Sequence, residues 1–224
     1  MEAQRVDTQR AYELLLDMIT TLNLRPGAAI SEQQLSGELT LALSAVQEAL
    51  RMLEREHLVR LTPRHGAYVA DINIPDLERI SELRLALESL AAGFAAQRAT
   101  PDDLAVLDAI RQEQATTDPA DARRLFHIDH KFHQAVAAAA HNVYLAETLS
   151  HLFGLSLRFW YLLLPAEEAE AAPARLESLT EAMQRHVDLV TAISAHDADA
   201  AQRVMRAHVD SFYRSVRTVL AARQ

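Results

Sequence analysis

Residues 44–69 read SAVQEALRMLEREHLVRLTPRHGAYV, and this stretch decides the architecture of the first third of the chain. Val46, Leu50 and Leu53 recur at steps of four and three, the stripe of an amphipathic helix. Ser44 followed three residues later by Gln47 matches a capping box that would start that helix. The period then drops to two. Leu58-Val59-Arg60-Leu61 and Ala67-Tyr68-Val69 read as short strands joined by Pro63-Arg64-His65-Gly66, a tight turn whose glycine can take a positive φ. Upstream, Leu14, Leu15, Met18, Ile19 and Leu22 give a first helix that Arg25-Pro26-Gly27 ends, and Ser31 opens a second with Leu35 and Leu39 on one face. Three short helices and a hairpin are the plan of a winged helix-turn-helix, expected over residues 1–72.

Beyond Ile74-Pro75-Asp76 every element reads as helical, at about 76–99, 101–116, 120–140, 143–164, 174–195 and 197–222. Breaks fall at Thr100-Pro101, Asp118-Pro119, His141-Asn142 and an acidic, Ala-rich loop from Pro165 to Pro173. The expected fold class is therefore mainly α, with the winged domain followed by an all-helical antiparallel bundle over 76–224. With only 5 Gly and 7 Pro among 224 residues, composition agrees with long helices. The absence of cysteine excludes disulfides and thiolate metal sites. The polar start lacks a signal-peptide core, and no apolar run reaches the roughly 18–20 residues that span a bilayer, so a cytoplasmic protein with no membrane partner is expected. Net charge is −9. Residues 1–72 carry 7 Arg against 10 Asp and Glu, and the remainder 15 Lys and Arg against 21, so neither part is basic.

Four residues carry chemistry. Asp129 and His133 lie one turn apart between Leu125 and Phe132, His186 falls in the series Leu176, Leu179, Met183, His186, Val190, Ile193, and His208 sits between Val204 and Phe212. An apolar stripe tolerates an imidazole only where something satisfies it, and three imidazoles plus a carboxylate converging on one bundle suit a divalent metal. Zinc fits this donor set best, with nickel, manganese and iron also compatible. His127, His130, His141, His151 and His196 fall off the stripes or at helix ends and are expected in solvent. Arg84 lies on the stripe Leu77, Ile80, Arg84, Leu87, Ala91, Phe94, where its guanidinium needs a bundle carboxylate or an anionic ligand. Arg158 precedes Phe159, Trp160 and Tyr161, a cluster expected to pack in the core or a dimer contact, and is itself expected at an exposed position.

The runs Leu24-Arg25-Pro26-Gly27, Ser31-Glu32-Gln33-Gln34-Leu35, Val46-Gln47-Glu48-Ala49-Leu50-Arg51-Met52-Leu53-Glu54 and His65-Gly66-Ala67-Tyr68-Val69 resemble the DNA-binding domain of GntR-family bacterial regulators. Glu82-Leu83-Arg84 and the Asp129, His133, His186, His208 set are similar to the FCD ligand-binding domain of the FadR branch. The resemblance implies a homodimeric transcription factor whose helical domain binds a small carboxylate beside a metal and so changes its affinity for a double-stranded operator. Arg84, and less directly Arg158, would grip that carboxylate, since a guanidinium presents two parallel donors to it. Gln33, Ser44, Gln47 and Arg51 would face DNA, with Arg64, His65 and Gly66 in the wing. Family members usually carry arginines where this chain has Gln33, Leu43 and Gln47, so the usual guanine contacts are missing. Gln47 can read adenine, although a role in the Ser44 cap would compete.

These residues give a ligand-responsive repressor as the expected function. One alternative is a sensor of the same fold that has lost specific DNA binding, suggested by the acidic first segment. Another is a metal-dependent hydrolase, since an open position on such an ion can activate water.

Overall fold

A computed structural model describes residues 2–63, 66–119, 121–163 and 173–221, and among them the side chains of 6–63, 66–119, 121, 123–159, 181 and 183–218. The first compact unit holds α1 (Glu2–Thr20), β1 (Ala29–Ile30), α2 (Glu32–Leu39), α3 (Leu43–Arg55), β2 (Val59–Thr62) and β3 (Gly66–Val69). Residues 154–161 belong to it as well. Its core takes Ala11, Leu15 and Ile19 from α1, Leu35 from α2, and Val46, Leu50 and Leu53 from α3, with Val59, Ala67 and Val69 from the sheet. Leu22 lies past the end of α1, at φ 61.

Ser31 caps α2 by accepting from the Gln34 amide, and Thr40 ends it in the left-handed region at φ 55. The Ser44 capping box is not formed. Helix α3 begins two residues earlier than a Ser44 cap would start it: its N-cap is Ala42 with no side-chain cap, and Ser44 is exposed. Val46 is in the core, so the register that buries the α3 stripe fixes the start of the helix regardless of the polar pair at 44 and 47. The sheet runs β1-β3-β2, all antiparallel, with Ile30 opposite Ala67 and Leu61 opposite Ala67. Two-residue β1 has no alternation to reveal it in the sequence. It exists because Gly27, at φ 74, turns the chain so that its amide donates to the Val69 carbonyl at 3.0 Å. Gly66 takes φ 91 at the start of β3, while Arg64 and His65 lie outside the described residues.

In the second unit every element among the described residues is a helix: α4 (Ile74–Arg98), α5 (Pro101–Thr116), α6 (Ala122–Ala139), α7 (Val143–Leu163, its residues 154–161 apart), α8 (Pro173–Ser194) and α9 (Ala198–Ala221). Pro75 stands in the first turn of α4, where its missing N–H costs nothing, and not in a linker before it. Helix α5 has the capping box that α3 lacks: Thr100 accepts from the Asp103 amide while the Asp103 carboxylate takes the Thr100 amide at 2.8 Å. The core joins Ala92, Ala95 and Ala96 of α4, Leu107 of α5, Phe132 and Val136 of α6, Leu189 and Ile193 of α8, and Met205 and Val209 of α9. Small residues on α4 let that helix approach its neighbours closely. The expected loop lies outside the described residues over 165–172, as do the Trp160 and Tyr161 side chains; Phe159 is buried.

Candidate metal centre

The second unit folds Asp129 and His133 of α6, His186 of α8 and His208 of α9 onto one point. All four are buried, and their ligand atoms lie within 4.8 Å of one another. Asp129 Oδ1 is 3.2 Å from His186 Nε2 and 3.4 Å from His208 Nε2, while Oδ2 is 3.7 Å from His133 Nε2. The Nε2 atoms of His133 and His208 are 3.0 Å apart. Bonds of ~2.1 Å to zinc place tetrahedral ligand atoms about 3.4 Å apart, so these separations suit one ion between them.

Two of the imidazoles are oriented from behind. Glu88 of α4 contacts His133 Nδ1, and Gln114 of α5 accepts from His186 Nδ1 at 2.9 Å, so each ring keeps a proton on Nδ1 and turns Nε2 to the centre. Among the described residues His186 Nε2 makes no hydrogen bond, although it is buried and faces a carboxylate oxygen. A buried lone pair aimed at an anionic oxygen is repulsive unless a cation sits between them, so the donor set fits a metal ion. Phe132 stacks on His186 with ring centroids 3.9 Å apart and closes that side with apolar surface.

Electrostatics prepares the ligands unequally. Burial pushes the His186 imidazole down to about 4 and also lowers His208, so both are neutral at pH 7. Burial would raise Asp129, but the His133 charge and the neighbouring imidazoles hold it well below 3.8. Burial likewise disfavours charge on His133, yet the Glu88 and Asp129 carboxylates lift its pKa above 6.5. Glu88 is held at about 2 against its own desolvation by Arg84 and His133.

Glu88 and Gln114 were not anticipated from the sequence. The signal for Glu88 was its position four residues after Arg84, the spacing of a helical ion pair; for Gln114 there was none beyond a polar residue among apolar neighbours. Arg84 itself is 3% exposed, and its Nε donates to Glu88 Oε1 at 2.6 Å. Its guanidinium lies 5.4 Å from each of the Phe153 and Phe212 rings. The terminal nitrogens make no hydrogen bond among the described residues. Arg158 is buried, not exposed as expected, because it donates to the Ala70 carbonyl in the first unit. His130 is also not in solvent: it is half-buried, packs edge-on to Phe153 and is pushed down to about 4 by burial. His127, His141 and His196 are exposed as expected, His141 bonding Asp103 at 2.8 Å and His196 the Ala96 carbonyl at 2.8 Å, while His151 is half-buried.

On the first unit, Gln33, Ser44 and Arg51 are exposed, and Arg51 pairs with Glu48 at 2.8 Å. Gln47 donates to Glu32 Oε2 at 2.6 Å instead of serving the cap.

Residues 7–69 match the gntR family of bacterial regulatory proteins and residues 79–211 match the FCD domain. The chain is 25% identical to the HTH-type transcriptional repressor RspR of Escherichia coli (strain K12) over 212 residues, 94% of this chain and 89% of that one. It is 29% identical to a putative L-lactate dehydrogenase operon regulatory protein of the same strain, covering 86% and 79%. A 27% match to the uncharacterized HTH-type transcriptional regulator YdhC of Bacillus subtilis (strain 168) spans 63% of this chain and 64% of that protein. Among solved structures, E. coli McbR/YncC shares the fold with a TM-score of 0.79 at 21% identity over 96% of this chain and 98% of its own. These families and relatives are transcriptional regulators and not enzymes, which leaves the hydrolase alternative without support. The two domain matches together take in most of the chain, and on them the protein belongs to the gntR family of bacterial regulatory proteins, as a member carrying an FCD domain.

Proposed function

We propose that the protein is a cytoplasmic, homodimeric, metal-containing regulator that senses a small carboxylate and adjusts its grip on an operator. Residues 1–72 meet the DNA and 76–224 hold the metal and the effector. The observation that carries this reading is the convergence of Asp129, His133, His186 and His208, with Glu88 and Gln114 fixing two of the rings behind them. Such an ion supplies a Lewis-acidic point for a carboxylate oxygen. Zinc suits three imidazoles and one carboxylate. Arg84 supplies the second grip: with Nε held by Glu88, its two terminal nitrogens form an end-on fork for a carboxylate. Its place between Phe153 and Phe212 keeps that fork in an apolar setting, where a charged hydrogen bond is strong.

Helix α4 supports the dimer. Leu83 is 52% and Leu90 41% exposed on one face of that helix, a large apolar edge that the described residues leave uncovered. An effector that binds one dimer arrangement better than the other shifts the spacing of the DNA-binding heads by no more than its differential affinity. The sense of a repressor follows the name of RspR.

Elemental analysis of purified wild type, His186→Ala and His208→Ala tests the metal. The wild type carries close to one equivalent of a divalent ion after zinc reconstitution, and both variants lose metal and thermal stability together. A wild type that stays metal-free after reconstitution would sink the reading. The sensor that has lost specific DNA binding remains the second reading, favoured by the acidic first segment and by Glu32 and Glu48 engaging Gln47 and Arg51. A genome-wide pull-down that recovers no enriched fragment at low salt selects it.

A further inference from the structure

Leu43, the first residue of α3, keeps 37% of its surface exposed although it is large and apolar. One turn later, Gln47 Nε2 donates to Glu32 Oε2 of α2 at 2.6 Å. A carboxylate can only accept, so this bond fixes which end of the amide faces α2. The second N–H and Oε1 of Gln47 stay without a partner among the described residues. In a helix-turn-helix the N-terminal residues of the second helix of the motif meet base edges in the major groove. There guanine shows two acceptors, adenine an acceptor and a donor, and thymine a methyl group. An N–H beside a carbonyl oxygen complements adenine. Against guanine, Oε1 would oppose O6, acceptor to acceptor, with the Glu32 charge close behind. Leu43 offers no hydrogen bond and fits the thymine methyl.

We infer that α3 reads A·T pairs: adenine opposite Gln47 and thymine opposite Leu43, with Glu32 as the positioning residue that sets the Gln47 amide. Four helical residues rise about 6 Å and successive bases on a strand about 3.4 Å, so the two contacts fall within about two base steps. This rests on the reading above that the protein binds an operator, and the test separates the two.

The zinc-loaded full chain is used to select duplexes from a random-core library. The selected duplex is then titrated with deoxyuridine in place of single thymines, which removes one methyl, and with 7-deaza-adenine in place of single adenines, which removes N7. Wild type loses roughly threefold to fivefold at one thymine, as expected for one buried methyl, and about tenfold or more at one adenine. Leu43→Ala loses only the sensitivity to uracil and Gln47→Ala only the sensitivity to 7-deaza-adenine. Glu32→Gln frees the amide to turn over and shrinks the preference for adenine over guanine at that position while total affinity holds or rises. The base analogues act on wild-type protein, so the outcome does not depend on a variant folding. A selected site with G·C pairs at these positions, or sensitivities that persist in the matched variants, overturns the inference and leaves the operator reading intact. A library that yields no enriched sequence overturns the operator reading, and the inference with it.

Discussion

Glu88→Gln removes one negative charge from behind His133 and keeps the side chain's shape, which isolates what the ion pair contributes to the metal. In the native protein His186 stands at about 4, Asp129 lies well below 3.8 and burial lowers His208, so at pH 6.5 His186 and Asp129 are already in the form a cation takes and His208 is shifted toward it. His133 is the exception. Burial alone would strip its proton, but Glu88 and Asp129 hold its pKa above 6.5, so it is more than half protonated at that pH. Zinc loading at pH 6.5 therefore expels protons, chiefly the one on His133, and the number falls toward zero as pH rises well past the His133 pKa. In the Glu88→Gln variant the larger of the two carboxylate influences on His133 is gone, proton release drops, and zinc affinity falls roughly 10- to 100-fold because an amide orients the ring less firmly than a carboxylate. Calorimetric titration of the apo-protein in two buffers of different ionisation enthalpy counts the protons, and competition with a chromophoric chelator gives the affinity. A wild type that releases none at pH 6.5, or a variant that matches it in both measurements, refutes the assignment of the proton to His133 and the role of Glu88.

Arg84→Leu keeps metal content but flattens the rise in melting temperature that a panel of small carboxylates gives the wild type; equal rises in both proteins remove Arg84 from the effector site. Leu83→Glu with Leu90→Glu turns the dimer into a monomer in sedimentation without lowering helicity, and an unchanged dimer moves the interface elsewhere. The metal-free protein loses stability as pH falls from 6.5 to 4. In that window the unfolded chain protonates its histidines while His186 and His130, at about 4, stay neutral in the fold, so the unfolded state binds more protons and is favoured. The raised pKa of His133 does not oppose this, since its contribution is fully present below 6.5 and is lost only above it. Glu88 adds a second loss as pH falls below about 4.5 toward 2. The first loss amounts to a few kcal/mol, roughly 5–15 °C in Tm, and a flat thermal profile over pH 4–6.5 contradicts it.

The convergence of Asp129, His133, His186 and His208 was legible because each of them breaks an apolar stripe at helical spacing, and a polar side chain in such a place has to be answered by another. The same logic found only one edge of the inner face of α4, since Leu77, Arg84 and Ala91 of its stripe are buried but Ile80, Leu87 and Phe94 are not. Leucine and phenylalanine drew the stripe through Leu87 and Phe94, which are half-buried, whereas the buried face turns toward Ser81, Glu88, Ala92 and Ala95. Hydropathy cannot show that a glutamate is inside while leucines stay out, because the reason lies on other helices: His133 of α6 pairs with Glu88, and the small residues of α4 admit α9. Gln114 has the same history. The winged unit followed from periodicity and turn chemistry except at β1 and at the start of α3, where a hydrogen bond to a distant strand and the burial of Val46 outweigh any local signal.

The chain has no cysteine, so no covalent bond ties one helix of the bundle to another. On the proposed reading, an ion held by α6, α8 and α9 takes over that task, bridging His133 to His186 across 53 positions (186 − 133) and His186 to His208 across 22 (208 − 186). It is a reversible cross-link, opened by chelation or acid and indifferent to oxidants. Once it opens, the helices are held by apolar contacts and by pairs such as Glu88–His133 and Gln114–His186 around a cluster of buried charged and polar groups, and local opening exposes the backbone to proteases. On this account the cell's free metal sets the lifetime of the regulator as well as its response, and starvation for the ion clears the protein from its operators by degradation.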